Sequence, residues 1–105
     1  MATNRLDILK QMLAQDPGNS FARYGLAMEY AKTGELKSAV DQFKALIAAD
    51  SLYVAAYFHC GQTLEKLGEL DEARAVYEQG ISASTKKGDT HTRGEIEAAL
   101  SMLPV

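Results

Sequence analysis

Apolar residues recur along this chain at intervals of three and four, broken by short polar or glycine-containing breaks into separate amphipathic stretches. Leu6, Leu9, Met12 and Leu13 fall on one side of a helix over Arg5–Gln15. Phe21, Tyr24, Leu26, Ala27, Met28, Tyr30 and Ala31 populate more than one face, the pattern of a helix contacted from several sides. Leu36, Ala39, Val40, Phe43, Leu46 and Ile47 return to a single stripe. The scheme then repeats, with a helix around Tyr53–Leu67 and another from about Leu70 to Thr85. Ile96, Ala99, Leu100 and Leu103 close the chain. The pattern predicts an all-α protein of about six helices.

The breaks carry their own signals. Gly34 and Gly68 lack a Cβ and can take the left-handed conformation that ends a helix. Asp50-Ser51 offers side-chain oxygens to cap the helix that follows. Lys86-Lys87-Gly88 places cations where a helix dipole is negative, and Thr92 with Glu95 reads as a capping box for the last helix.

Offsetting the chain by 34 residues lays 20–53 over 54–87. Ala22 meets Ala56, Lys32 meets Lys66, Gly34-Glu35-Leu36 meets Gly68-Glu69-Leu70, and Ala39 meets Ala73. Tyr24 aligns with Phe58, and Phe43 with Tyr77. Such a period is the mark of a repeat architecture. The first unit reads Arg23-x2-Leu26-Ala27-x2-Tyr30 and then Ala39-x3-Phe43; the second reads Tyr57-x2-Cys60-Gly61-x2-Leu64 and then Ala73-x3-Tyr77. This resembles the tetratricopeptide repeat, whose signature is Trp-x2-Leu-Gly-x2-Tyr, then Ala-x3-Phe, then a closing proline. Arg23 departs from the large aromatic, and Ser51 and Thr85 from the proline.

The resemblance implies a right-handed superhelical stack of antiparallel helix pairs forming one domain over 1–105. It divides into a partial repeat at 1–19, repeats at 20–53 and 54–87, and a capping helix within 88–105. It also implies a function. The first helix of each pair lines a concave groove where a segment of another protein lies. Phe21, Tyr24, Met28, Ala31 and Lys32 would face it from the first unit, and Ala55, Phe58, Gln62, Glu65 and Lys66 from the second. One subclass of the family grips the C-terminal carboxylates of chaperones with lysines, arginines and asparagines. Tyr24, Met28, Phe58 and Gln62 stand at the corresponding inner places, so that clamp is not expected.

Composition narrows the alternatives. A length of 105 residues suits a single domain with its own core. A net charge of −3 with no basic run argues against a nucleic-acid backbone or an anionic membrane as partner, and leaves RNA binding by a helical repeat as a minor alternative. The longest apolar run, Leu52–Phe58, is far short of a membrane span. Met1–Arg5 leads into an amphipathic stretch, so no secretory leader is expected, and the lone Cys60 points to the reducing cytoplasm. His59 and His91 lack ligand-like spacing, Cys60 occupies a packing position, and no phosphate-loop motif occurs. Neither metal, cofactor nor enzymatic activity is expected. Self-association into a homodimer through open end faces is the rival to partner binding.

Overall fold

The computed structural model describes residues 4–104. Met1–Thr3 and Val105, which belong to the expected partial repeat and capping segments, lie outside them. Six helices follow in order: α1 (Arg5–Gln15), α2 (Ser20–Lys32), α3 (Leu36–Ala49), α4 (Val54–Lys66), α5 (Leu70–Lys87) and α6 (Thr90–Ser101). Among the described residues there is no strand, and no helix long and apolar enough to cross a membrane.

The turns repeat with the sequence. At Gly34 (φ 88°) and Gly68 (φ 79°) the chain takes the left-handed conformation that a side chain would penalise. The next amide reaches back to the last turn, Glu35 N to Tyr30 O and Glu69 N to Leu64 O, both at 2.9 Å. Between units, Asp16 and Asp50 adopt nearly the same conformation (φ −140°, ψ 79° and φ −142°, ψ 79°). Each accepts an amide three residues on, from Asn19 and from Tyr53 at 3.0 Å. The turn therefore forms with Ser51 as readily as with Pro17. The aromatic departure is likewise absorbed. Tyr57 donates its hydroxyl to the carbonyl of Ser51 at 2.7 Å. Arg23, one period earlier, donates to the carbonyl of Pro17 at 3.3 Å and to Gln42 at 2.7 Å.

Two caps differ from expectation. No side chain caps α4: Tyr53 is its N-cap, and Asp50 and Ser51 precede it in the turn, too early for their oxygens to reach the first-turn amides. The equivalent residue before α2, Asn19, does cap, its Oδ1 accepting from Ala22 N at 2.9 Å. The Thr92–Glu95 box does not form either, because α6 starts earlier. Asp89 directly follows Gly88 and takes both the amide of Thr92 (3.0 Å) and its hydroxyl (2.8 Å), while Glu95 pairs with His91 at 3.5 Å. Helix α5 also outruns the expected Thr85, ending at Lys87. At the phase of Asp16 and Asp50 it carries Ser84, whose hydroxyl bonds back to Gly80 O at 2.6 Å within the helix.

The core runs continuously through the stack and includes Ala27, Ala39, Phe43, Leu46, Ala56, Cys60, Leu64, Ala73, Tyr77 and Ile96. Close approaches are bought with small residues. A Cβ on Gly61 would lie 2.1 Å from Tyr77 Cε1, and one on Gly80 would lie 2.7 Å from Tyr57 Cβ and 2.9 Å from Ile96 Cδ1. Each helix packs on its neighbours in the chain, and α2 also meets α4, which meets α6. Among the described residues α1, α3 and α5 do not pack on one another in this way. One layer is closed up and the other splayed, which makes the α2–α4–α6 side the inner, concave one. On the outer side an exposed ion pair, Lys44–Glu72 at 2.8 Å, spans from α3 to α5.

Candidate functional site

Where α2 and α4 lie side by side they enclose an open cleft of about 200 Å³. Helix α2 contributes Met28, Ala31 and Lys32. Helix α4 contributes His59, Gln62, Thr63 and Lys66, which are spaced i, i+3, i+4 and i+7 and so share one helical face. Met28 and Gln62 are one 34-residue period apart, as are Lys32 and Lys66. The cleft is thus built from corresponding positions of consecutive repeats.

Five of the expected groove residues meet here: Met28, Ala31, Lys32, Gln62 and Lys66. Tyr24 and Phe58 stand beside the cleft as half-buried members of an aromatic cluster. The Tyr24 ring lies 5.1 Å from Tyr53, 5.9 Å from His59 and 6.3 Å from Phe43, so it packs the seam between repeats. Phe58 meets the His59 ring edge-on at 5.3 Å. Glu65 is half-buried and turns toward α5, its carboxylate accepting the hydroxyl of Tyr77. Burial and that acceptor raise the Tyr77 pKa well above its usual range. Phe21, at the start of α2, is 69% exposed. Ala55 lines a separate cleft of about 260 Å³ between the starts of α4 and α6.

His59 and Thr63 were absent from the expected face. The signal for them is present in the spacing 59, 62, 63, 66, which describes a helical face as regular as the expected one through 55, 58, 62, 65 and 66. Thr63 is buried, its hydroxyl donating to His59 O at 2.7 Å. The His59 ring touches Tyr24, Phe43 and Phe58. Burial pushes its pKa below the ordinary 6.5, against a smaller opposing pull from Glu95, so it is neutral at pH 7. Lys32, Gln62 and Lys66 are exposed. Among the described residues no carboxylate lines the cleft, and neither lysine has one within 4.0 Å.

Cys60 follows His59 in sequence but is fully buried, and burial lifts its thiol to about 11, so it carries no nucleophilic thiolate at neutral pH. Among the described residues no three His, Cys, Asp or Glu side chains gather as metal ligands would.

Paired helices repeating in a two-layered stack with one concave face define a helical-repeat solenoid. The chain belongs to the tetratricopeptide repeat family, whose model matches residues 24–87. It is 28% identical over 95 residues to the TPR repeat-containing protein PA0015 of Pseudomonas aeruginosa, with 90% of each chain covered. Its fold is similar to the solution structure of protein BPP2914 from Bordetella parapertussis (TM-score 0.82, 28% identity, 95% of this chain and 87% of that one). It also resembles the crystal structure of a tetratricopeptide repeat domain protein from Salinibacter ruber (TM-score 0.73, 33% identity, 78% and 91% covered). Folds of this family are generally protein–protein interaction modules and non-enzymatic scaffolds.

Proposed function

We propose that this protein is an interaction module whose concave face holds a segment of another protein in the cleft between α2 and α4. One observation carries the reading: corresponding positions of two repeats, Met28 with Gln62 and Lys32 with Lys66, converge on one solvent-open cleft. The residues there combine an apolar stretch at Met28 and Ala31 with polar ends that have no partner among the described residues. A peptide can bury side chains against the first and hydrogen-bond to the second. Tyr24, Phe58 and Glu65 would act from the margin, holding the helices that carry the contacts. A cleft spanning two repeats is short, and affinity on the order of micromolar, about −8 kcal/mol, fits it. The unpaired thiol of Cys60 suits a reducing cytoplasm.

The test is affinity capture from a cell lysate with wild type and with Met28→Ala/Gln62→Ala, read by mass spectrometry after both show equal helical circular dichroism. Proteins retained by the wild type and lost by the variant support the cleft. Identical capture by both overturns it. A second reading, self-association through an end of the stack, is favoured by Ile8 (47% exposed) and Phe21 (69%) on its first two helices. A monomer whose mass in light scattering stays constant with concentration eliminates that reading.

A further inference from the structure

We infer that the segment held between α2 and α4 is acidic, carrying two aspartate or glutamate side chains beside an apolar residue, with Lys32 and Lys66 as their partners. This rests on the interaction-module reading and specifies its ligand.

The charge of the cleft is complementary to such a segment. The protein as a whole is acidic, with 14 Asp and Glu against 11 Lys and Arg. The cleft runs counter to that balance, holding two lysines and no carboxylate. Several other cations are already engaged: Arg5 with Glu29 at 3.5 Å, Lys44 with Glu72 at 2.8 Å, Arg93 with Glu97 at 3.6 Å, and Lys10 over the Tyr30 ring at 5.9 Å. Lys32 and Lys66 close their helices, where the dipole draws cations for purely structural reasons. That attraction does not neutralise them. A helix C-terminus carries only about half a negative charge, against the full charge of each lysine, so the rim of the cleft stays positive.

Two further features set the shape of the ligand. The cations stand on different helices, and a free chain end supplies a single carboxylate, so acidic side chains match the site better. Lys32 and Lys66 stand at the same end of the cleft, each closing its helix, with Met28 and Ala31 beside them on α2 and Gln62 on α4 able to bond the passing backbone. The cleft's volume of about 200 Å³ is several times the roughly 30 Å³ share of one water, which admits an apolar side chain.

The experiment is selection from a library of randomised short peptides displayed on phage, using the whole chain as bait. Wild type is compared with Lys32→Glu/Lys66→Glu and with Met28→Ala/Gln62→Ala, all checked for equal helicity. Wild type is expected to enrich peptides with two acidic residues near an apolar one, and the charge-reversed variant to enrich lysine- and arginine-bearing peptides instead. For the best acidic peptide, Lys32→Gln/Lys66→Gln should weaken binding about tenfold, and raising salt from about 0.1 to 1 M should weaken wild-type binding similarly. If wild type and the reversed variant enrich the same peptides, and only Met28→Ala/Gln62→Ala loses them, the acidic assignment falls while the cleft stands. If no peptide is enriched, or enrichment ignores both variants, the interaction-module reading falls with it. An oligouridine RNA that binds wild type at micromolar concentration and is lost on charge reversal would assign the lysines to nucleic acid and overturn the proposal.

Discussion

Gly61→Ala isolates the packing argument on which the stack depends. The added methyl would sit 2.1 Å from Tyr77 Cε1 and 2.6 Å from Cδ1 and Cζ. Non-bonded carbons prefer about 3.5 Å or more, so the ring must yield by over about 1 Å. It has little freedom to do so, being fully buried and tethered through its hydroxyl to Glu65. Overpacking costs about 1–3 kcal/mol, and losing the bond to the carboxylate about 1–2 kcal/mol more. Opposing them is the gain in helix propensity from glycine to alanine, about 1 kcal/mol. The net is a loss of about 1–4 kcal/mol, which for a domain near 100 residues lowers Tm by roughly 5–30 °C. Gly94→Ala is the control: it lies within α6, and a Cβ there meets nothing within 4 Å. The same chemical change should raise Tm by about 5 °C at that position. Thermal melts followed by far-ultraviolet circular dichroism, which reports helix content, give both values. A Gly61→Ala protein that melts at or above wild type, with Gly94→Ala behaving as expected, refutes the reasoning. A second arm probes the tether: Gly61→Ala/Tyr77→Phe should be less destabilised than the sum of its parts by about 1 kcal/mol. That pair recreates Ala27 with Phe43, which occupy the same phase in the first repeat and are both fully buried.

Two other perturbations follow from named contacts. Burial lifts the Cys60 thiol from 9.0 to about 11 and raises Tyr24, Tyr53, Tyr57 and Tyr77 above their ordinary 10.0. The stability these groups contribute is therefore complete below pH 9 and is lost as the pH climbs, because the unfolded chain releases its protons first; the Cys60 share lost by pH 11 is on the order of 2–3 kcal/mol. Melts between pH 7 and 11 should show Tm falling steeply at the alkaline end, and a flat profile contradicts the burial. Asn19→Ala removes the one side-chain cap of α2, at a cost of about 1 kcal/mol and a Tm lower by about 5 °C; an unchanged melt would mean the turn at Asp16 alone sets the start of that helix.

The order and class of the helices were legible because the 34-residue period states them twice. Gly34 and Gly68 mark the same turn in the two units, and the structure gives both a positive φ. The departures at Arg23 and Ser51 were legible as departures but not as equivalents. At the first position the two repeats share a contact with the preceding turn: a guanidinium meets the carbonyl of Pro17 as a phenol meets that of Ser51. Residue identity hid a shared bond. The caps misled for a different reason. Asp50-Ser51 and Thr92-Glu95 both have the composition of a start signal. A cap, however, depends on where the backbone leaves the previous helix, which is fixed by Asp50 in one case and by Gly88-Asp89 in the other.

The candidate site was legible in part, and the part that was not depends on a helix having two neighbours rather than one. Read alone, α4 offers several faces of nearly equal merit, and the expected set of Ala55, Phe58, Gln62, Glu65 and Lys66 is as regular as the observed one of His59, Gln62, Thr63 and Lys66. The choice is made by α5. Gly61 admits the ring of Tyr77 at van der Waals contact, and the hydroxyl of that ring draws Glu65 toward α5. Fixing those two residues fixes the rotation of α4 about its axis, and His59 and Lys66 are then turned toward α2. The residue that decides which side chains a partner would meet is thus a glycine with no side chain to offer. The packing glycine of the second repeat and the composition of the cleft are one problem, and a change at Gly61 should alter recognition at Lys66 even where the fold survives.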